Sequence, residues 1–102
     1  MITLYQAEWC PHSHRVRQRL TELGLDFVAR QVQVDPDDRT ELADATGQRS
    51  IPALVLDDGT VLSGEEEILP ALDERFSEPP EAERHREKAV EEWPHWLRLA
   101  PP

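Results

Sequence analysis

Cysteine occurs once in the 102 residues, at Cys10, which excludes an internal disulfide framework and leaves too few thiolates for a zinc site built on cysteines. Lysine also occurs once, at Lys88, so arginine supplies nearly all of the positive charge set against 21 acidic residues, and the net charge is -10. Nucleic acid is a poor partner for such a chain, because its phosphates need a basic surface, and anionic membranes are excluded on the same ground. No apolar run reaches the ~20 residues of a membrane span. Met1-Ile2-Thr3-Leu4-Tyr5 lacks the basic start and long apolar segment of a signal peptide. A cytoplasmic protein is expected, and the length fits one domain with a modest core. No internal repeat occurs, and the one low-complexity run, Glu65-Glu66-Glu67, suits a solvated helix start. Dense carboxylates fit a protein adapted to high salt. A solvated acidic face is the plainer account, and a melting curve indifferent to molar KCl would favour it.

What the chain does contain is centred on Trp9-Cys10-Pro11-His12-Ser13. Proline at the first helical position needs no amide partner and already has a helical φ, so a helix is predicted from Pro11. Cys10 then sits at the positive end of that helix, where free backbone N–H groups favour a thiolate over a thiol. His12 and His14 when protonated, Arg15, and a hydrogen bond from Ser13 push the same way, and Glu8 pushes against them. A lone cysteine can equally be a small buried hydrophobe, so the remaining sequence has to decide between a reactive thiol and an inert one.

Ile2, Leu4 and Tyr5 mark a first strand within Met1 to Gln6. The helix from Pro11 carries Val16, Leu20 and Leu23 on one face and stops at Gly24. Phe27 to Val34 reads as a second strand, and Asp35-Pro36-Asp37-Asp38 as the start of a second helix with Leu42 and Ala45 inward and Gly47 as its stop. Strand, helix, strand, helix favours an α/β domain whose first two strands are parallel. Ala53 to Leu56 and Thr60 to Leu62 flank Asp57-Asp58-Gly59, a hairpin signal. Ser63 and Glu66 have capping-box spacing ahead of Ile68, Leu69, Leu72 and Phe76, with Pro70 forcing a later start or a kink. Glu81 to Leu99 is predicted as a last helix, bent or ended by Pro94. Ala89, Val90, Trp93 and Leu97 form one face of it, packed on the domain with Trp96 nearby; an exposed partner patch is the rival account.

These parts, in this order, resemble the glutaredoxin family and the N-terminal thiol-binding domain of glutathione S-transferases, from about Ile2 to Phe76. The resemblance rests on Cys10-Pro11-His12-Ser13-His14-Arg15, on Thr46-Gly47-Gln48-Arg49-Ser50-Ile51-Pro52, and on Leu62-Ser63-Gly64-Glu65-Glu66-Glu67-Ile68-Leu69. It implies a thioredoxin-like α/β fold: a four-stranded mixed sheet flanked by helices in the order βαβαββα, plus a C-terminal helix. Residues 1–77 would be the thioredoxin-fold domain and 78–102 an extension packed on it. Cys10 matches the family's nucleophile, and Ser13 falls where dithiol members have a resolving cysteine. Trp9, Pro11 and His12 flank the thiol and are counted with the residues that contact the small thiol. Pro52 matches the cis-proline whose preceding residue, Ile51, offers its backbone to the cysteinyl part of glutathione. Gly64 and Glu65 fall where transferases have a Glu-Ser pair and where backbone amides at a helix start hold the γ-glutamyl carboxylate. Glu65 or Glu66 would receive the ligand's ammonium, and Arg49 a second carboxylate.

Some family features are missing. Many glutaredoxins have a lysine three residues before the cysteine, where this chain has Ala7. Cluster-carrying monothiol members read Cys-Gly-Phe-Ser with that lysine, and this chain has neither. The helical second domain of a transferase is not expected, since the chain ends at Pro102. The resemblance implies a monomeric monothiol oxidoreductase with no tightly bound cofactor and no metal. It would act on mixed disulfides between proteins and glutathione or γ-glutamylcysteine. Two other functions stay open: a non-catalytic thiol-binding or interaction module, and a 2Fe–2S carrier in which two chains share a cluster through Cys10 and two small thiols.

Overall fold

The computed structural model describes residues 1–99, with side chains described as far as His95. Strand β1 (Ile2–Gln6) takes the central place because Ile2, Leu4 and Tyr5 are all buried, and it has a neighbour on each side. On one side lies β2 (Phe27–Gln31), parallel, in a register from Ile2 opposite Phe27 to Gln6 opposite Gln31. On the other lies β3 (Ala53–Val55), antiparallel, with Leu4 opposite Leu54 and Tyr5 opposite Ala53. β4 (Val61–Ser63) closes the sheet against β3, giving the order β2-β1-β3-β4. The mixed sheet and its chain order are those the resemblance implies. β2 stops short of the expected Val34 because its partner β1 ends at Gln6, so the parallel ladder has nothing further to pair with.

Helix α1 (Pro11–Glu22) begins at the expected proline and is followed by Gly24 at φ 68°. Val16 and Leu20, fully buried, and Leu23 join Leu4, Leu54, Leu62, Ile68 and Leu72 in the main core. The second helix starts later than Pro36. Pro36–Asp38 forms a single 3-10 turn, capped by the Asp35 carboxylate accepting from the Asp37 N–H at 2.9 Å, and α2 (Thr40–Thr46) follows. Arg39 separates the two at φ -84°, ψ 60°, a backbone no α-helix has. Its 5% exposed side chain turns inward and donates to the carbonyls of Gln33 at 2.7 Å, Val34 at 3.0 Å and Arg49 at 2.9 Å. α2 ends at Gly47 with φ 77°, a left-handed cap that glycine adopts without a Cβ penalty.

The capping box proposed for the next helix does not form. Ser63 is the last residue of β4, paired with Ala53, and is therefore held in extended backbone. The cap is Gly64, at φ 84° and ψ 150°, and α3 (Glu65–Arg75) starts one residue later and contains Pro70. Proline at the sixth position forfeits one backbone hydrogen bond, and the burial of Ile68 and Leu72 holds the helix across it.

Helix α4 (Ala82–Leu99) passes through Pro94 and is not ended there. It runs antiparallel to α1: Arg86 meets Glu22, the Gln18 Nε2 donates to the His85 carbonyl at 3.4 Å, and the Trp93 ring lies 5.5 Å from that of His14. The expected apolar packing is a correction. Ala82 is buried, yet Val90 is 77% exposed and Trp93 50% exposed. The cause is that α1 presents His14, Gln18 and Glu22 to α4, so the helix docks through polar groups, and Val90 turns outward. The expectations for Trp96 and Leu97 lie outside the described side chains. Glu78, just before α4, accepts from Arg19 at 2.7 Å and from Arg86 at 2.7 Å, and these bonds hold its carboxyl down to about 2, Arg86 contributing most. Among the described residues no helix is long and apolar enough to cross a membrane.

Candidate active site

The site begins where β1 runs out. Gln6 ends the strand, buried Ala7 leads into the turn, and the Cys10 N–H returns to the Ala7 carbonyl at 3.1 Å, so the chain reverses directly into α1. Cys10 is the N-cap of α1. Its Sγ accepts the Ser13 N–H at 3.4 Å, the place a serine or aspartate oxygen takes in an ordinary cap. The sulfur thus meets one of the orphan amides at the positive end of the helix. Cys10 is 6% exposed, between the exposed Trp9 and Pro11. Ser13 is fully buried, and its Oγ has no hydrogen-bond partner among the described residues.

The Ile51-Pro52 peptide bond is cis. Because Ala53 pairs with Tyr5, the residues just before it lie alongside the end of β1, at the same edge as the Cys10 turn. The buried Pro52 offers its carbonyl to the Gly64 N–H at 2.8 Å, which fastens the proline loop to the start of α3. Half-buried Ile51 packs against the small cluster of Tyr5, Leu42 and Ala53.

The third element is the first turn of α3. Glu65 Oε1 accepts from His12 Nδ1 and from Arg15 at 3.0 Å, which ties the N-terminal turns of α1 and α3 together. These partners, His12 first and Arg15 next, hold the Glu65 carboxyl below the usual carboxylate range. Glu65 is thus already engaged with two basic groups, where the resemblance would have it meet a ligand. His12 and Arg15, expected to favour the Cys10 thiolate, both bond to that carboxylate. Arg17 is likewise engaged with Glu8 at 2.6 Å and with Gln6. Glu66 turns back toward Gly64: a Cβ on that glycine would stand 2.8 Å from the Glu66 carboxyl carbon.

The chain therefore brings together Cys10, His12, Ser13, Pro52, Gly64, Glu65 and Glu66. Arg49 is directed elsewhere. It donates to the carbonyls of Pro36 at 3.1 Å and Asp37 at 2.8 Å, holding the 3-10 turn. Arg39 does not emerge from the sequence. It organises the loop that leads to Ile51-Pro52 by holding the Arg49 carbonyl, and no spacing distinguishes it from the other arginines.

Known proteins share this fold. A glutathione transferase family member from Pseudomonas fluorescens, solved with bound glutathione, superposes at a TM-score of 0.68 with 29% identity, over 78% of this chain and 40% of that one. A wheat glutaredoxin superposes at 0.56 with 26% identity, over 72% of this chain and 68% of its own. In sequence, a glutaredoxin of Pseudomonas aeruginosa is 32% identical over 53 residues, which are 52% of this chain and 63% of that protein. A glutaredoxin of Oryza sativa subsp. japonica is 29% identical over 84 residues, 72% of this chain and 75% of that protein. The fold is therefore thioredoxin-like. The Glutaredoxin family model matches residues 2–61, more than half of the sequence, and the chain belongs to the glutaredoxin family.

Proposed function

We propose that the protein is a monothiol thiol–disulfide oxidoreductase acting on mixed disulfides between proteins and glutathione or a related small thiol. The observation that carries this reading is Cys10 as the N-cap of α1, its sulfur accepting the Ser13 amide. The Cys10 thiolate attacks the small thiol's sulfur in the mixed disulfide. A bond forms between the two sulfurs, the protein sulfur leaves with the electron pair of the broken S–S bond, and it takes a proton from water. A second molecule of the small thiol, as thiolate, then attacks the sulfur bound to Cys10, giving the small-molecule disulfide and restoring the Cys10 thiolate. Each turnover consumes one free small thiol, whose sulfur passes from thiol to disulfide as the protein sulfur passes from disulfide to thiol, and no second cysteine is used. Ser13 places a hydroxyl where a dithiol enzyme has its resolving thiol. Ile51 would align the small thiol through its backbone, and residues 78–102 would be an extension of the same folded unit.

The test is turnover of a fluorescent peptide disulfide-linked to glutathione. Wild-type protein is expected to release the peptide catalytically and Cys10→Ser to release none. A wild-type rate no higher than that of Cys10→Ser, with both proteins folded, would replace this reading by a non-catalytic thiol-binding module. The near-complete burial of Cys10 is the observation that favours the latter.

A further inference from the structure

Helix α4 meets α1 through polar groups and leaves apolar ones in solvent. Arg86 pairs with Glu22, and Gln18 donates to the His85 carbonyl, so this contact does not need the apolar stripe of α4. Val90, 77% exposed, Trp93, 50% exposed, and half-buried Ala89 instead line a shallow groove of about 280 Å³. Scattered apolar residues are ordinary on a surface, whereas a contiguous apolar groove is the kind of feature that marks a binding face.

The groove leads toward the Cys10 turn. His14 follows Cys10 by one helical turn, its N–H donating to the Cys10 carbonyl at 3.0 Å, and the Trp93 ring lies 5.5 Å from the His14 ring. Because α4 runs antiparallel to α1, the step from Val90 to Trp93 is a step toward Cys10. The two flanks of α1 differ: Arg15 faces α3 through Glu65, and His14 faces α4 through Trp93. In the proposed reaction the small thiol takes the α3 flank, which leaves the α4 flank to the polypeptide that carries the departing sulfur.

Resting on the oxidoreductase reading above, we infer that the groove of Ala89, Val90 and Trp93 receives an apolar side chain of the polypeptide whose mixed disulfide Cys10 opens, three or four residues from the disulfide cysteine. One helical turn of about 5.4 Å and the 5.5 Å ring separation put Trp93 on the order of 11 Å from Cys10. Extended chain covers about 3.3 Å per residue, which sets that spacing. A second copy of this chain fits the groove poorly. Three side chains cover a small part of the roughly 800 Å² that each partner of a stable dimer buries, and each copy brings a charge of -10.

Two peptides isolate the contact: the same fluorescent sequence disulfide-linked to glutathione, with either leucine or serine at the fourth residue on each side of the cysteine. The leucine peptide is expected to have the higher kcat/KM, by roughly 4- to 12-fold, the factor for half-burying one leucine. The gain is expected as a lower KM, since a contact away from the sulfurs is the same before and during the reaction. It is expected to persist in ~1 M KCl, where charge effects are screened. Val90→Ser and Trp93→Ser are each expected to bring the ratio toward one by slowing the leucine peptide only, with folding checked by thermal melting. Equal kcat/KM for the two peptides in the wild type, a ratio lost in salt, or a ratio unmoved by both substitutions in folded protein would overturn the inference and leave the oxidoreductase reading intact. A dimer seen by sedimentation and dissolved by Val90→Ser would give the face to a second copy and overturn it as well. Turnover of neither peptide would remove the oxidoreductase reading and the inference with it.

Discussion

Replacing Arg39 by alanine is expected to be among the most destabilising polar substitutions in the chain, and to impair the site without touching it. The guanidinium is 5% exposed and donates to three backbone carbonyls, those of Gln33, Val34 and Arg49. A hydrogen bond to a charged group is worth about 1.5–3 kcal/mol net, which would put three near ~4.5–9 kcal/mol if water could not replace them. The three carbonyls belong to residues with exposed side chains, so water reaches them once the arginine is gone, and the expected loss is about 2–4 kcal/mol. Against a total stability of about 5–15 kcal/mol for a domain this is a large fraction. With a urea slope of about 1.5 kcal/mol/M the midpoint falls by ~1.3–2.7 M. Because Arg39 holds the Arg49 carbonyl two residues before Ile51, kcat/KM on the mixed disulfide is expected to fall as well, at temperatures where the variant is still folded. Arg39→Lys should rescue less than half of the loss, since one ammonium cannot reproduce a planar fork across three acceptors. A loss under about 0.5 kcal/mol for Arg39→Ala, the range of ordinary surface substitutions, would refute the role given to this residue.

The Glu78 carboxyl, held down to about 2 chiefly by Arg86 and then by Arg19, contributes stability that is fully present above its ordinary value near 4.5 and is lost as pH falls from there toward 2. Melting temperature across that window is expected to drop less in Glu78→Gln than in the wild type, and identical profiles would show that the α1–α4 contact does not depend on this carboxylate. Gly64→Ala is expected to cost about 1–3 kcal/mol, because φ 84° with ψ 150° is a backbone essentially restricted to glycine. A denaturant midpoint within error of wild type would contradict that. Ser13→Cys places a second thiol three residues after Cys10, within the same first helical turn. Mass spectrometry after mild oxidation is expected to find no free thiol in it, and two free thiols would contradict the helix start at Pro11.

Legibility in the sequence followed the range of the interactions. The core face of α1, the hairpin at Asp57-Asp58-Gly59 and the helix stops at Gly24 and Gly47 depend on neighbours a few residues away, and the structure has each where the spacing puts it. Ser63 misled because its capping spacing is local, whereas its pairing with Ala53 across the sheet is not, and the ladder prevailed. Arg39 was invisible because its partners are carbonyls, which every sequence has. Arg49 was assigned to a ligand on its place in a motif, while the neighbouring 3-10 turn takes its hydrogen bonds. Val90 and Trp93 show the limit of periodicity: spacing finds an apolar stripe but not whether the helix beneath offers it apolar or charged side chains.

In the proposed reaction Cys10 takes the small thiol, not the protein, in its first step. That step is tested most directly by quenching the wild-type protein with acid during turnover of the glutathione-linked fluorescent peptide and reading the mass on Cys10. Glutathione on Cys10 and free peptide thiol in solution are expected. Peptide on Cys10 with glutathione released, or Cys10 unmodified while peptide accumulates, would contradict the proposed step.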